Sequence, residues 1–346
     1  MNKAIIIGWI NKNKPADCGE TMKNQLMIQK LTELGVKCYL ADFKNWRKHP
    51  WVFLQLLWFM FVHHDATLIF STSTQNVYPM MKLMARIKWK QHTVHWVIGG
   101  SLGQKVKDGE YQANIIGYMD YTLVESNLMK QQLTGCGVKN VLQVPNFKPI
   151  NYYPKHLGIH GDKLKFVFLS RIMPEKGCDY ILDVAKMLND NGYAQKYEIE
   201  FYGKIAESYN EVFEHKVSSL PNVHYAGFLN LRENSGYDKL ASYDVMLFPT
   251  YWKGEGFAGI FIDAFISGVP IIASDWAHNR QFLKENETAL FVPVHDVEAL
   301  FFKMQQCVDG VYPLEKMSNK CQEEAQKYDI NKVITKGLLK RLEIIK

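Results

Sequence analysis

The chain has 346 residues, 47% of them hydrophobic and 22% charged. That balance supports buried cores and excludes a disordered tail or a disulfide-stapled miniprotein. The net charge of +6 is unevenly placed: residues 1–150 hold 18 basic and 9 acidic side chains, residues 151–346 hold 23 and 26. The first stretch therefore points either to an anionic partner or to a plain solvated basic surface.

The six cysteines form no CxxC pair, which indicates neither a zinc site nor a disulfide framework and suits reduced thiols of a cytoplasmic protein. The apolar run at 4–7 is too short for a signal peptide. The longest apolar stretch, Trp51–Val62, is too short to span a bilayer.

In chain order, apolar runs predict strands at 4–7, 36–41, 67–70, 93–98, 121–124 and 141–144, with a helix over 21–34 ended by Gly35. Residues 145–162 read as a linker, carrying Pro145, Pro149, Pro154, Gly158 and Gly161. Strands then resume at 165–169, 198–202, 223–225, 245–248, 271–273 and 289–292. Helices are expected over 178–189, 296–307 and 315–327, with a last amphipathic helix over 329–345. Such alternation predicts an α/β protein with two doubly wound parallel sheets, a cleft between the domains, and ligands outside the carboxyl ends of the strands. The first strand is followed by Gly8-Trp9-Ile10-Asn11 rather than GxGxxG, which disfavours a nicotinamide enzyme.

Residues 254–270 read as a glycine-rich loop entering a helix after the strand at 245–248. Glycines let backbone amides approach a ligand, and a helix start near Ala258, Gly259 and Ile260 favours an anion. Glu255 precedes that helix and Asp263 sits about one turn into it. A second loop, Ser170-Arg171-Ile172-Met173-Pro174-Glu175-Lys176-Gly177, follows the strand at 165–169. Its Arg171 and Lys176 are suited to a diphosphate, one as a planar fork and the other as a point charge. Each loop alone is also compatible with an ordinary strand–loop–helix connection.

Together these segments resemble the group 1 glycosyltransferases (family 4) of the GT-B fold, which carry Arg-x4-Lys followed by Glu-x7-Glu; here the pairs are Arg171/Lys176 and Glu255/Asp263. The flanking runs 268–275 and 288–293, and Val124-Glu125-Ser126 and 144–147 in the first half, are similar as well. The resemblance implies two Rossmann-like domains: an acceptor domain over 1–155 joined by a returning helix over 328–346, and a nucleotide-sugar donor domain over 156–327. It implies that Arg171 and Lys176 hold the donor diphosphate, that Gly256, Phe257, Ala258, Gly259 and Ile260 form the loop and helix start around it, and that Asp263 takes the ribose. Glu255 would contact the donor sugar, Gly203 would lie near the nucleobase, and Arg171, Lys176 and Glu255 would carry catalysis. It further implies retention at the anomeric carbon with no bound metal or cofactor, and domain closure to exclude water.

Two departures from the family pattern stand out. Asp263 is one methylene shorter than the family's Glu, and Gly99 and Gly100 stand where many members have a His. These glycines suit close approach of backbone to a sugar. His95 lies inside its strand and reads as a packed residue, so no general base is assigned. In the loop at 15–23, Gly19, Glu20 and Lys23 are candidates for the acceptor or sugar side, while Thr21 equally suits simple helix capping.

Residues 43–62 combine seven Trp and Phe side chains with Arg47, Lys48 and His49, and Lys82, Arg86, Lys88 and Lys90 follow. This composition fits a membrane-surface element, and the resemblance implies that such an element would meet the inner face of the membrane. The near-continuous apolarity of 51–62 instead favours a core helix for most of its residues. No nucleic-acid motif is present. The resulting expectation is transfer from a UDP-linked sugar to a glycan or polyprenyl-diphosphate-linked acceptor of surface polysaccharide. A sugar-nucleotide epimerase of the same fold, or a non-catalytic glycan-binding member, is the alternative.

Overall fold

The computed structural model describes residues 2–155 and 161–346. Gly158 of the expected linker, and the start of the expected second domain at residue 156, lie outside the described residues.

All twelve expected strands are present, in two sheets. The first holds β1 (Lys3–Gly8), β2 (Lys37–Asp42), β3 (Thr67–Thr72), β4 (Thr93–Val97), β5 (Tyr121–Val124) and β6 (Val141–Gln143), ordered β2-β1-β3-β4-β5-β6. The second holds β7 (Leu164–Leu169), β8 (Tyr197–Tyr202), β9 (Val223–Tyr225), β10 (Val245–Phe248), β11 (Ile271–Ser274) and β12 (Ala289–Val292), ordered β12-β11-β10-β7-β8-β9. Every pairing is parallel. Central strands such as β3, β4, β10 and β11 are buried along their whole length, because helices cover both faces and leave no face for polar alternation.

The chain divides into two compact units. One comprises the chain up to Pro149 together with Gly256–Ala258 and Tyr328–Lys346; the other comprises Ile150–Glu255 and Gly259–Lys327. In the second sheet the chain runs outward through β7, β8 and β9, then returns to lay β10 on the other side of β7. The order therefore reverses between β7 and β10, the place where doubly wound sheets leave a crevice at their carboxyl ends.

In the first unit, α1 (Gly19–Glu33) buries Met27 and Leu31 in one core with Ile330, Ile334, Leu339 and Leu342. The opposite face of the sheet carries α2 (Trp51–Val62) and α3 (Thr74–Ile87), whose Val52, Leu56, Met60, Val77, Met81 and Met84 share a second core.

Two expectations are corrected here. The helix at 51–62 is not a core helix for most of its residues. Only Val52, Leu56 and Met60 are buried, one stripe at four-residue spacing, while Trp51, Phe53, Leu54, Leu57, Trp58 and Phe61 are exposed. The segment 329–345 is not one helix either. It forms Ile330–Val333 and Lys336–Arg341, because Ile334 leaves the helical conformation and the Thr335 side chain caps a new start by accepting the Leu338 N–H.

Among the described residues no helix is long and apolar enough to cross a membrane. Burial pushes the thiols of Cys178 and Cys307 up to about 12, which keeps them protonated and inert.

Candidate active site

The two loops singled out in the second unit emerge from β7 and β10, on either side of the strand-order reversal. Their backbones touch. Gly177 has φ +78°, and a Cβ there would sit 2.2 Å from the Pro249 carbonyl oxygen, so only glycine fits. The Tyr251 N–H donates to the Glu175 carbonyl at 2.9 Å, which ties the loops again.

This contact brings Lys176 to Glu255. Lys176 Nζ lies 2.6 Å from Glu255 Oε2, and both side chains are nearly buried, 11% and 8% exposed. The Thr250 hydroxyl donates to the same carboxylate oxygen at 3.0 Å, and the Lys176 ammonium lies 5.7 Å from the Phe248 ring centroid. Arg171, just past the end of β7, is exposed. The arrangement sets one exposed and one sheltered cation at the carboxyl end of the sheet, with a carboxylate competing for the second.

The helix Gly259–Ile266 starts four residues beyond Glu255. Asp263 lies on it, 3% exposed, and accepts the Tyr237 hydroxyl at 2.9 Å. Burial and the Asp263 charge push the Tyr237 phenol pKa up, so Tyr237 remains a donor. The expected ribose ligand is thus already hydrogen-bonded within its unit. Gly203, at the end of β8, has φ +136°, and a Cβ would fall 1.8 Å from the Ser170 carbonyl oxygen. It lets the chain leaving β8 pass close against the chain leaving β7.

In the first unit, Glu20 accepts the Trp9 N–H at 3.3 Å, and burial raises its pKa above the usual carboxylate range. Gly19 is exposed at the start of α1, and Thr21 caps the turn before it by accepting the Asp17 and Cys18 N–H groups. Lys23 differs from the expectation of a cation open to a ligand: it is 4% exposed and pairs with Glu125 at 2.6 Å. Glu125 also accepts the Phe257 N–H at 3.0 Å, the Asn146 amide donates to the Phe257 carbonyl at 3.1 Å, and the Phe257 ring packs edge-on against Tyr328. A Cβ on Gly256 would meet Glu125 Oε2 and the backbone of Gly99 and Gly100 at 3.0–3.1 Å. Gly256, Phe257, Gly99 and Gly100 therefore gather around Glu125, and Gly99 also lines a small pocket with Ser73, Thr74 and Lys105. His95 is fully buried, and desolvation lowers its pKa to about 3, so its ring is neutral.

Glu125, Thr250 and Tyr237 were not among the candidate site residues. A carboxylate directly after a buried strand is the signal for Glu125. Nothing local marks Thr250 or Tyr237, whose partners are brought to them by the fold.

Known proteins share this fold and part of this sequence. Residues 163–309 match the family model of the glycosyl transferases group 1. The chain is 24% identical over 204 residues to the poly(ribitol-phosphate) alpha-N-acetylglucosaminyltransferase of Staphylococcus aureus, covering 58% of this chain and 39% of that one. The stretches aligned with the curated relatives span 35% and 39% of their lengths. Sucrose-phosphate synthase of Thermosynechococcus elongatus superposes with TM-score 0.75 at 15% identity over 98% of each chain. Anabaena Alr3699/HepE in complex with UDP does so with TM-score 0.71 at 11% identity, covering 99% of this chain and 100% of that one. The chain has the GT-B fold, and residues 163–309, within its second unit, are similar to the glycosyl transferases group 1.

Proposed function

We propose that the protein is a retaining glycosyltransferase. It moves a sugar from a UDP-linked donor to a hydroxyl of a glycan or lipid-carrier-linked glycan in surface polysaccharide synthesis. The observation that carries this reading is the Lys176–Glu255 pair, with Arg171 nearby in sequence, at the strand-order reversal of the second sheet.

In this reading the donor binds the second unit. Its diphosphate displaces Glu255 from Lys176 and takes charge-assisted hydrogen bonds from Lys176 and Arg171. The amides of Gly259 and Ile260 at the helix start add a fixed positive dipole end. As the sugar–phosphate bond breaks, negative charge grows on the leaving diphosphate. Cations held in place beforehand stabilise that charge more than they stabilise bound donor, which is what lowers a barrier. We assign the same task to Arg171 and Lys176 in place of a metal. Glu255, released from Lys176, is placed to accept hydroxyls of the donor sugar, and Asp263 to reach the ribose. The first unit, with Glu20, Gly99 and Gly100, takes the acceptor.

The test is a panel of nucleotide-sugars given to the purified protein, read for hydrolysis and transfer with and without a chelator, beside calorimetry of UDP. UDP binding with release of UDP from one donor supports the reading, and activity that survives chelation supports the metal-independent form. Interconversion of donor with no acceptor would assign an epimerase. Neither binding nor turnover overturns the proposal.

A further inference from the structure

The first unit presents a surface that its own fold leaves uncovered. On α2 the buried stripe of Val52, Leu56 and Met60 uses one side of the helix, and the remaining side is apolar too. Trp51, Trp58 and Phe61 are 74%, 63% and 79% exposed. Gln55 is the only polar side chain in α2. The preceding turn folds onto this helix: Phe43 and Trp46 both meet the Phe53 ring edge-on, which sets exposed Arg47, Lys48 and His49 at its start.

On α3 the pattern repeats in milder form. Leu83 and Ile87 are exposed one turn apart, beside exposed Lys82, Arg86, Lys88 and Lys90. The buried sides of α2 and α3 share one core, so both helices cover the same face of the sheet and both exposed sides look outward from it. A soluble protein seldom leaves so large an apolar patch in water without a partner.

Charge selects the partner. From residue 43 to residue 90 the chain holds seven Lys or Arg side chains and a single carboxylate, Asp65, and Asp65 is paired with Lys3 at 2.9 Å. A second copy of this chain packed face to face would bring two like-charged surfaces together. An anionic bilayer offers what the surface lacks, negative headgroups for the basic rim and acyl chains for Trp and Phe, which favour the headgroup boundary. Beside Trp51 lies a hollow of about 460 Å³ lined in part by Lys12, Asp42, Lys44 and His49. Asp42 there is already engaged by the Ile10 and Lys12 N–H groups, and Lys44 by Asp17.

We propose that α2 and α3 dock the first unit on an anionic lipid bilayer, with Trp58 and Phe61 inserted at the headgroup boundary and Lys82 and Arg86 against the lipid phosphates. The contact is peripheral and reversible. It does not depend on the transfer reaction, since docking needs neither donor nor acceptor.

The test is flotation of the full chain with vesicles of phosphatidylcholine alone and of phosphatidylcholine mixed with phosphatidylglycerol, at low and high salt. The protein is expected to float with the mixed vesicles, less with the neutral ones, and less at high salt. Trp58→Glu with Phe61→Glu, and separately Lys82→Glu with Arg86→Glu, are each expected to cut binding by about tenfold or more. All four side chains are exposed, so the melting temperature is expected to stay unchanged. No flotation with the mixed vesicles, or equal flotation of the wild type and both variants, overturns the proposal. So does a dimer in light scattering that Trp58→Glu with Phe61→Glu dissolves while the wild type ignores vesicles, which would assign the surface to a second copy.

Discussion

Lys176 and Glu255 stand 79 residues apart in the chain, yet their side chains meet at 2.6 Å. The pair is held by a backbone contact that a single side-chain carbon at Gly177 would prevent. Each residue satisfies the other. In the proposed reading a bound diphosphate competes with Glu255, and that competition gives the two residues opposite signatures on substitution.

Lys176→Met is expected to raise the UDP dissociation constant about tenfold or more, since a hydrogen bond to a charged group is worth about 1.5–3 kcal/mol. Glu255→Gln removes the competing charge and is expected to leave UDP binding equal or tighter while abolishing transfer. Calorimetry and a transfer assay on both variants separate the roles. An unchanged dissociation constant in Lys176→Met, or full transfer in Glu255→Gln, removes the assignment.

The Lys23–Glu125 pair is more deeply buried, 3% and 5% exposed. Lys23→Met strands a carboxylate in a dry interior and is expected to cost about 3–5 kcal/mol of stability. Adding Glu125→Gln neutralises that charge and keeps an oxygen for the Phe257 N–H, so the double variant is expected to recover part of the loss. Urea unfolding of the four proteins gives the coupling, and strict additivity would show that the two charges do not interact.

His95 ties stability to acid. Its folded pKa is about 3 against an ordinary 6.5, so below 6.5 the unfolded chain binds a proton that the folded chain refuses. Its contribution is complete above 6.5 and is lost as pH falls toward 3, by up to about 1.4 kcal/mol per pH unit. The urea midpoint of the wild type is expected to fall more steeply between about pH 6.5 and 4.5 than that of His95→Gln. Parallel slopes would mean that His95 is protonated in the folded state.

Two glycines with positive φ should differ sharply. Gly192, at φ +83°, has open space where a Cβ would be, so Gly192→Ala is expected to cost about 1 kcal/mol of backbone strain. Gly203→Ala drives a methyl to 1.8 Å from the Ser170 carbonyl and is expected to cost more than about 3 kcal/mol. Thermal melts of both variants check the ranking, and equal losses would mean that the ends of β7 and β8 part easily.

The strands were legible because a parallel strand buried on both faces is written as an unbroken apolar run, as in Val245–Phe248 and in Ile271, Ile272 and Ala273 of β11. The β7 and β10 loops were legible because glycines, cations and a carboxylate follow such runs directly. The surroundings of α2 were not. A helix apolar on all sides gives no clue to which stripe its sheet covers, and only the packing of Val52, Leu56 and Met60 decides. The partner of Lys23 was hidden for another reason: Glu125 is 102 residues away, and no local pattern encodes that distance. The break at Ile334 escaped because apolar spacing continues across it, although Thr335 carries the signature of a helix start.

The composition of the first unit also has a consequence for how the protein is made. Its core joins Ile6 and Trp96 to Ile330, Leu339 and Ile344, and its loop Gly256–Ala258 is supplied from within the other unit's sequence. A ribosome that has released residues 1–149 has not yet supplied all the parts of that unit. The first unit in the chain is therefore the last that can finish folding, and the part of its apolar sheet face that α1 leaves open stays uncovered until residues 328–346 emerge. Removing that tail is a lesion of the amino-terminal unit, and a fragment ending at Pro149 is expected to aggregate rather than fold.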